Sequence, residues 1–246
     1  MSDAFRPPVI EAARRTAVVT GASRGIGEAI ARRLADDGIR VILLARSENR
    51  LQELAAEIGR DAVAVTCDLG VERAVGEGIA AVEDVLGHSP DIVVNNAGAF
   101  ELSPAHEQNP DDFARILAVN LEGPFRLVRQ WLPHMLSRGN GHIVTIGSIA
   151  DRVIFPGNAA YAASKFGSRA MHEVLRMETR GTGVKASLVS PAQVDTELWT
   201  PFDPDNSPGF TPRSSMLAPG AVADAVSYVL NAPGNVNVDE LRLSHS

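Results

Sequence analysis

The sequence contains a single cysteine, Cys67, so no disulfide can form within the chain. Cys67 ends an apolar run, residues 62–67, and we expect a buried strand residue rather than a nucleophile. The six histidines are scattered along the chain, with no pair at ligand spacing and no cysteine cluster. The sequence therefore predicts no metal site.

Long hydrophobic runs are also missing. No stretch reaches the length that crosses a membrane, and residues 1–15 contain no apolar core of signal-peptide length. Basic residues are in the minority, since 23 Lys and Arg stand against 30 Asp and Glu. An acidic surface repels phosphate backbones and anionic lipid, so nucleic acid and membranes are poor partners. We therefore expect a cytoplasmic protein that acts on a small molecule.

The sequence does have a regular alternation of short apolar runs and longer segments with helical spacing. The apolar runs predict strands at residues 17–20, 41–45, 62–67, 92–95, 143–148 and 185–190. The helical spacing predicts helices at residues 26–37, 50–58, 71–86, 111–138 and 162–180. Pro124 and Pro133 predict a kink or a break in the fourth helix. Strands that are apolar throughout suit a parallel sheet covered on both faces, so we predict an α/β fold with a doubly wound parallel sheet.

The alternation predicts one domain over residues 15–246, preceded by an N-terminal tail, residues 1–14. Segment 195–218 breaks the alternation, because it is rich in proline and carries Trp199 and Phe202. A long irregular segment of this kind is either a functional lid or a surface loop that prolines stiffen. It follows a strand end, where open α/β sheets bind their ligands, and this position favours a substrate lid.

A glycine cluster follows the first predicted strand and leads directly into a helix. Residues 20–27 read T-G-A-S-R-G-I-G. Glycines allow the backbone to approach a pyrophosphate, whose charge then rests on the helix N-terminus. Three residues separate the first two glycines, unlike the usual dinucleotide fingerprint, and any tight turn favours glycine. Its place after the first strand of a βαβ unit nevertheless indicates a dinucleotide site.

The end of the second predicted strand lacks the carboxylate that would hold the ribose 2′-hydroxyl of NAD. Arg46 stands there instead, and Arg24 lies in the glycine cluster. Two guanidinium groups suit a 2′-phosphate, although both side chains could simply point into water. We therefore expect NADP(H) to be preferred over NAD(H).

Polar residues also close the third and fourth predicted strands. Asp68 could accept a hydrogen bond from an adenine amino group, or it could cap the helix that begins near Val71. Residues 95–98, Asn-Asn-Ala-Gly, permit a sharp turn beside a ligand, although a plain turn is the simpler interpretation.

Tyr161 and Lys165 are four residues apart in a predicted helix, so their side chains lie on one face. A lysine ammonium beside a phenol favours the phenolate, which suits proton exchange with an alkoxide. Ser148 ends the fifth predicted strand and could donate its hydroxyl to a carbonyl oxygen that gains charge. A Y-x-x-x-K pair alone is a common accident on helices. Its combination with Ser148 and the glycine cluster indicates a catalytic site.

The order T-G-x-x-x-G-x-G, N-N-A-G, an asparagine, a serine and Y-x-x-x-K resembles the short-chain dehydrogenase/reductase family over residues 16–196. The resemblance implies a single-domain Rossmann fold and hydride transfer between a nicotinamide and a carbonyl carbon. It implies that Tyr161 is the general acid/base, that Lys165 orients the ribose and that Ser148 holds the carbonyl. Asn120 matches the family asparagine that keeps a water beside the lysine.

The same resemblance, together with the arginine argument, implies a set of residues that line the dinucleotide. These are Gly21, Ser23, Arg24, Gly25, Ile26, Gly27, Arg46, Asp68, Leu69, Asn95, Ala97, Gly98, Tyr161, Lys165, Pro191, Val194 and Thr196. The resemblance also implies a homotetramer, with a dimer as the second choice.

Two positions depart from the family pattern. Ala192 stands where a glycine is common, and alanine disfavours positive φ, so we expect an altered turn beneath the nicotinamide. Residues 238–243 lack the glycine pair of many members that act on acyl-carrier-protein substrates. A 3-oxoacyl-acyl-carrier-protein reductase therefore stays as an alternative to a general carbonyl reductase.

Other interpretations stay open beside these. A sensor or regulator that binds NADPH without turnover is the alternative from another class, although such a protein would be expected to lose Tyr161 or Lys165. Phe100, with the aromatic residues of segment 195–218, would give an apolar to mixed substrate pocket. We expect Asp151 and Arg152 to be a solvated pair rather than a charge-recognition site.

Overall fold

The computed structural model describes residues 14–246, in which the apolar runs form one parallel sheet of seven strands. The strands are β1 (Thr16–Thr20), β2 (Arg40–Ala45), β3 (Val63–Thr66), β4 (Ile92–Asn95), β5 (Gly141–Ile146), β6 (Val184–Pro191) and β7 (Glu240–Leu243). Their spatial order is β3-β2-β1-β4-β5-β6-β7, and every neighbouring pair is parallel. This order confirms the predicted doubly wound α/β fold.

Helices cover both faces of the sheet. They are α1 (Gly25–Asp36), α2 (Glu48–Ile58), α3 (Glu72–Leu86), α4 (Pro110–Leu117), α5 (Gly123–Arg138), α6 (Ala159–Glu178) and α7 (Pro219–Leu230). None of these helices, which are those of residues 14–246, is long and apolar enough to span a bilayer. Of the predicted tail, residues 1–13 lie outside the described residues. Arg14 is described, and its guanidinium donates to the carbonyl oxygens of Gly38 and Arg60.

Side chains of successive strand residues enter two separate cores. Val19 packs in the cluster shared with α1, α2 and α7, whereas Val18 packs with Trp131 in the cluster shared with α3 and α5. Side chains alternate between the two faces of a strand, so both neighbours are buried only when helices cover both faces. Each such side chain contributes roughly 1.5–3 kcal/mol to the free energy of unfolding.

The predicted helix at 111–138 is interrupted, as its prolines indicated. The chain leaves α4 through a π-helical turn, Ala118–Glu122, and continues as α5 with Pro124 in its first turn. The N–H of Gly123 donates to the carbonyl of Ala118, five residues earlier. Pro133 lies inside α5 without ending it. Wide π turns of this kind often occur at functional sites, and this one contains Asn120.

Two elements of the structure were not among the predicted strands and helices, namely β7 and α7. Strand β7 has only four residues, two of them charged, so its sequence lacks a strand pattern. Its pairing with β6, from Leu188–Glu240 to Pro191–Leu243, defines it as a strand.

Candidate active site

The candidate site lies where the sheet changes winding direction, between β1 and β4, at the carboxyl ends of the strands. The glycine loop after β1 packs directly on the turn after β4. Gly21 has φ +66°, and a Cβ there would lie 2.8 Å from Ala97 Cα. A Cβ at Gly27 would lie 2.5 Å from Asn96 Nδ2. Both positions therefore require glycine for the loop and the turn to meet.

Hydrogen bonds of Thr20 and Asn96 join the glycine loop to the turn after β4. Neither side chain was predicted to have a role. The Thr20 hydroxyl accepts hydrogen bonds from the N–H groups of Asn96 (2.9 Å) and Ala97 (3.0 Å). Asn96 Nδ2 donates to the Thr20 carbonyl at 2.9 Å. The signal in the sequence is that each residue belongs to a predicted cofactor motif, Thr20 to residues 20–27 and Asn96 to residues 95–98.

The residues at this edge fit a dinucleotide. The N-cap residue of α1, Arg24, makes no side-chain cap hydrogen bond, so the first N–H groups of this helix can bind a pyrophosphate. Asn95 is 4% exposed, and neither atom of its side-chain amide has a hydrogen-bond partner among the described residues. Buried amides are nearly always bonded, so this group is suited to a ligand. Thr196 packs against Gly25, which brings the end of β6 to the glycine loop.

Several other predicted cofactor residues have their side chains engaged with the protein. Asp68 accepts from the N–H of Gly70 at 2.9 Å, and the N-cap of α3 is Val71, so Asp68 does not cap that helix. Leu69 and Val194 are buried in the two cores, at 7% and 5% exposure. Any contact of Leu69 or Val194 with a dinucleotide would come from their backbones.

Three charged residues that the sequence did not connect, Arg24, Arg50 and Glu197, form ion pairs beside the glycine loop. Arg46 is exposed, as the solvent-facing alternative supposed. Arg24 donates instead to Glu197 at 3.0 Å, and Arg50 of α2 donates to the same carboxylate oxygen at 3.3 Å. The guanidiniums of Arg24 and Arg50 hold the pKa of Glu197 below its usual range. Arg50 and Glu197 were missed because nothing in their sequence spacing relates them.

Tyr161 and Lys165 lie one turn apart on α6, as predicted. Lys165 is 6% exposed, and its Nζ donates to the carbonyl of Ile146 at 2.9 Å. The same Nζ lies 5.6 Å from the centre of the Tyr161 ring. The last residue of β5 thus anchors the ammonium beside the phenol.

Ser148 follows β5 in extended conformation and caps a 3-10 turn, Ile149–Asp151. Its Oγ accepts from the N–H of Ala150 at 3.2 Å, which leaves the hydroxyl hydrogen available to a substrate. Ser148 therefore enters the site from the strand that also anchors Lys165.

The expectation of a solvated Asp151–Arg152 pair is wrong, because Asp151 is fully buried. Its carboxylate accepts from the Ser190 hydroxyl at 2.5 Å and from Arg152 Nε at 2.6 Å. Arg152 in turn pairs with Glu240 of β7 at 2.8 Å. A Cβ at Gly147 would lie 2.7 Å from the same carboxylate, so glycine makes room for it. This network joins the ends of β5, β6 and β7 directly behind Ser148.

Asn120 is buried in the π-helical turn, and its amide is engaged at both ends. Its Oδ1 accepts from the N–H of Ala99 at 2.7 Å. Its Nδ2 donates to the Ala99 carbonyl and to the Ser164 hydroxyl, both at 2.9 Å. The side chain therefore fixes the turn after β4 against α6, and a water beside Lys165 remains a prediction.

The Ala192 position carries no backbone strain. Its φ is negative, and its N–H donates to the Leu243 carbonyl of β7 at 2.8 Å. The edge strand thus supports this turn, and alanine fits where a glycine was expected.

Aromatic rings form a wall beside Tyr161. The Phe100 ring centre lies 4.9 Å from that of Tyr161, 5.4 Å from Trp199 and 5.3 Å from Phe202. Phe210 packs on the two last rings. Segment 195–218 therefore places aromatic side chains on Phe100, which itself contacts the predicted catalytic tyrosine.

Hydrogen bonds close the base of segment 195–218. Asp195 donates its N–H to the Leu217 carbonyl at 2.8 Å, and Leu217 donates to Gln193 at 2.9 Å. Within the segment, Arg213 pairs with Asp195 at 2.6 Å. The segment is therefore a folded loop whose two ends are joined by backbone hydrogen bonds.

Cys67 contributes no reactive group to the site. It is 3% exposed, one residue beyond β3, and burial raises the pKa of its thiol to about 11. In residues 14–246 no cluster of His, Cys, Asp and Glu could hold a metal ion.

Comparison with known proteins agrees with this geometry. The sequence profile described as short chain dehydrogenase matches residues 15–207. An uncharacterised oxidoreductase of Staphylococcus epidermidis is 36% identical over 229 residues, which are 93% of this chain and 96% of the relative.

Two solved structures have the same fold. The closed form of a serine dehydrogenase complexed with NADP+ is 32% identical, with a TM-score of 0.84 over 93% of this chain and 94% of that one. A 3-ketoacyl-(acyl-carrier-protein) reductase of Brucella melitensis complexed with NADH is 26% identical, with a TM-score of 0.82 over 93% and 96%. This chain is an oxidoreductase that belongs to the short-chain dehydrogenase family.

Proposed function

We propose that the protein reduces a ketone or aldehyde with NADPH, or oxidises the corresponding alcohol, with Tyr161 as general acid/base. The observation that carries this proposal is the Lys165 ammonium, anchored on the Ile146 carbonyl and 5.6 Å from the Tyr161 ring centre. A sensor without turnover would not require an ammonium fixed beside the phenol.

In the reductive direction each side chain has one task. A bound nicotinamide supplies the hydride. Tyr161 donates its phenolic proton to the carbonyl oxygen, and Lys165 stabilises the phenolate that remains. Ser148 donates a hydrogen bond to the same oxygen as it gains charge. A positioned proton donor contributes about 10²- to 10⁴-fold to the rate.

The preference for NADP(H) rests on the basic residues at the ribose end of the site. Arg24 and Arg50 donate to the same carboxylate oxygen of Glu197, and Arg46, at the end of β2, is exposed. The serine dehydrogenase structure holds NADP+, whereas the ketoacyl reductase structure holds NADH. The guanidinium pair therefore supports NADP(H) for this chain, since a planar fork grips a phosphate well.

The aromatic wall supports an apolar carbonyl substrate. Phe100 contacts the Tyr161 ring edge-on, and Trp199 and Phe202 extend the wall from Phe100. The apolar surface of a substrate would replace water on these rings. A 3-oxoacyl-acyl-carrier-protein reductase is the second candidate, favoured by the similarity to the Brucella enzyme.

We also propose a cytoplasmic homotetramer, with segment 195–218 as its substrate lid. Exposed apolar side chains support the assembly, since Phe125 of α5 is 50% exposed and Val174 of α6 is 53% exposed. Apolar side chains gathered on helix surfaces are typical of subunit interfaces. Light scattering of the purified protein would distinguish a tetramer from a dimer.

The test of the function is the loss of NADPH absorbance with aldehydes, ketones, 3-oxoesters and 3-oxoacyl thioesters, with NADH in parallel. We expect turnover that favours NADPH and that is lost in Tyr161→Phe. Saturable NADPH binding without turnover of any carbonyl would support the sensor instead. A preference for NADH would remove the cofactor assignment and leave the catalytic one.

A further inference from the structure

Glu197 occupies two arginines at the ribose end of the site, Arg24, which was predicted to hold the 2′-phosphate, and Arg50, which was not. It opens the 3-10 turn Glu197–Phe202, directly after Thr196. Its Oε2 atom accepts from Arg24 of the glycine loop at 3.0 Å and from Arg50 of α2 at 3.3 Å. One carboxylate oxygen thus joins segment 195–218 to the two elements that would hold the cofactor.

Glu197, Arg24 and Arg50 lie in one surface hollow beside the glycine loop. The net charge of this hollow is unfavourable to a phosphate while the Glu197 carboxylate stays in place. Three arginines and four glutamates line the hollow. Arg32 is already paired with Glu28 at 2.9 Å and with Glu57 at 2.5 Å. Without the Glu197 carboxylate, arginines and glutamates would be equal in number, and the guanidiniums of Arg24 and Arg50 would be available to a phosphate.

The ion pairs of Glu197 are of the kind that a phosphate can displace. The side chains of Arg24, Arg50 and Glu197 are 55%, 50% and 54% exposed. Exposed ion pairs contribute little to stability, because water and salt screen them. A phosphate carries up to two negative charges and three oxygens, so it competes well for a guanidinium.

Displacement of Glu197 would act on the wall beside Tyr161. Trp199 and Phe202 lie in the same 3-10 turn as Glu197, and both rings contact Phe100. The turn is also tied to its own base, since Trp199 Nε1 donates to the Val194 carbonyl at 3.1 Å. Release of Glu197 would leave this bond in place and change the surroundings of the Trp199 ring, which is two residues along the turn.

We propose that Glu197 is a specificity-determining residue, which competes with the cofactor 2′-phosphate for Arg24 and Arg50 and is released from both when NADP(H) binds. The proposal rests on the NADP(H) preference of the proposed function. It implies that NADP(H), unlike NAD(H), loosens the turn that carries Trp199.

The experiment uses two ligands with two phosphates each, which differ in the position of one of them: it is on the ribose 2′ carbon in 2′,5′-ADP and at the end of the 5′ chain in 5′-ADP. Their dissociation constants are measured by calorimetry with the full-length protein, and tryptophan emission is recorded at saturation. Trp131 is fully buried in the sheet core, so a ligand-dependent change in emission reports Trp199. The variant is Glu197→Gln, which keeps the shape of the side chain and removes its charge.

The matched control is Glu53→Gln. Glu53 lines the same hollow and makes no ion pair with an arginine in the described part of the chain. The control therefore removes the same charge from the same place without freeing a guanidinium.

For Glu197→Gln we expect 2′,5′-ADP to bind about three- to tenfold more tightly and 5′-ADP to change less than about twofold, in line with weak exposed ion pairs. The emission of this variant without ligand should match that of the wild type with 2′,5′-ADP. Glu53→Gln should change the binding of either ligand less than about twofold, because its charge is screened.

Three results would overturn the proposal. Unchanged 2′,5′-ADP affinity in Glu197→Gln, in a wild type that prefers 2′,5′-ADP, removes the competition and leaves the NADP(H) preference standing. If Glu53→Gln and Glu197→Gln raise the affinity for 2′,5′-ADP equally, the net charge of the hollow explains the change and competition by Glu197 does not. If neither the wild type nor Glu197→Gln distinguishes the two ligands, the NADP(H) preference is lost together with the proposal.

Discussion

The two ends of the candidate site are built in opposite ways, although both lie at the same edge of the sheet. At the catalytic end Lys165, Asp151 and Asn120 are at most 6% exposed, and each is bonded to the protein. At the phosphate end the side chains of Arg24 and Glu197 are more than half exposed. The residues proposed to carry the chemistry are therefore held by buried contacts, and those proposed to select the cofactor by exposed ones.

The difference follows from the cost of an unpaired polar group. A buried donor or acceptor that loses its partner costs about 1–3 kcal/mol, and a buried charge costs more. An exposed ion pair is replaced by water at a cost of about 0–1 kcal/mol. The catalytic end therefore has one arrangement, whereas the phosphate end can exchange partners when a ligand arrives.

The largest expected effect is at the catalytic end. Tyr161→Phe should lower kcat by about 10²- to 10⁴-fold, because the ring stays in place and the proton donor is lost. NADPH affinity and the melting temperature should stay within error of the wild type. Steady-state kinetics and calorimetry measure these quantities. Retained turnover in the variant would contradict the assignment of Tyr161 as the proton donor at the catalytic end.

Loss of the buried carboxylate behind Ser148 should have the next largest effect. Asp151→Ala leaves the Ser190 hydroxyl without its acceptor and Arg152 with Glu240 alone, and should lower the free energy of unfolding by about 3–5 kcal/mol. The control is Asp224→Ala, because Asp224 also pairs with an arginine, Arg33, but its side chain is 68% exposed. Urea unfolding should show less than about 1 kcal/mol for this control. Equal losses would mean that burial does not separate the two pairs.

The strand that leads to Ser148 should lose stability in acid. Burial, with smaller contributions from Lys185 and Arg15, lowers the pKa of His142 in β5 to about 3. Because the folded state disfavours the charged ring, stability is fully present above the unfolded pKa of about 6.5 and is lost as the pH falls toward 3. This one group should remove about 1.4 kcal/mol per pH unit below pH 6.

Urea unfolding between pH 7 and pH 4.5 measures this dependence in the wild type and in His142→Gln. In His142→Gln the free energy of unfolding should depend less steeply on pH, by a slope that corresponds to nearly one proton. The side chain of His106 is 80% exposed, and His106→Gln should leave the slope unchanged. A parallel loss of stability in the wild type and in His142→Gln would contradict the assignment to the buried ring.

The smallest expected effects are at the phosphate end. Arg50→Ala should weaken NADPH binding by about three- to tenfold and NADH binding by less than about twofold, as for one exposed phosphate contact. Arg46→Ala is the natural comparison, since the sequence singled out Arg46 and the structure adds Arg50. Calorimetry with both cofactors ranks the two arginines. An equal loss for NADPH and NADH would show that neither arginine reads the 2′-phosphate.

The sequence predicted the parts of the site that depend on neighbouring residues. The spacing of Tyr161 and Lys165 places both on one helix face, and six of the seven strands are visible as apolar runs. The glycine cluster predicted the turn into α1, where Gly21 and Gly25 have positive φ. Such features are local, so the order of the residues determines them.

Contacts between distant segments were decided only by the tertiary structure. Arg50 and Glu197 are 147 residues apart, and Ser190 lies 39 residues from Asp151. No periodicity relates such pairs, so the sequence pattern does not distinguish the buried Asp151 from an exposed aspartate. The sequence by itself determined six of the seven strands, the helices other than α7, and the motif that carries Tyr161 and Lys165. Only the fold decided which charges are buried and which arginines share a carboxylate, because long-range packing sets burial and burial sets the energy of a charge.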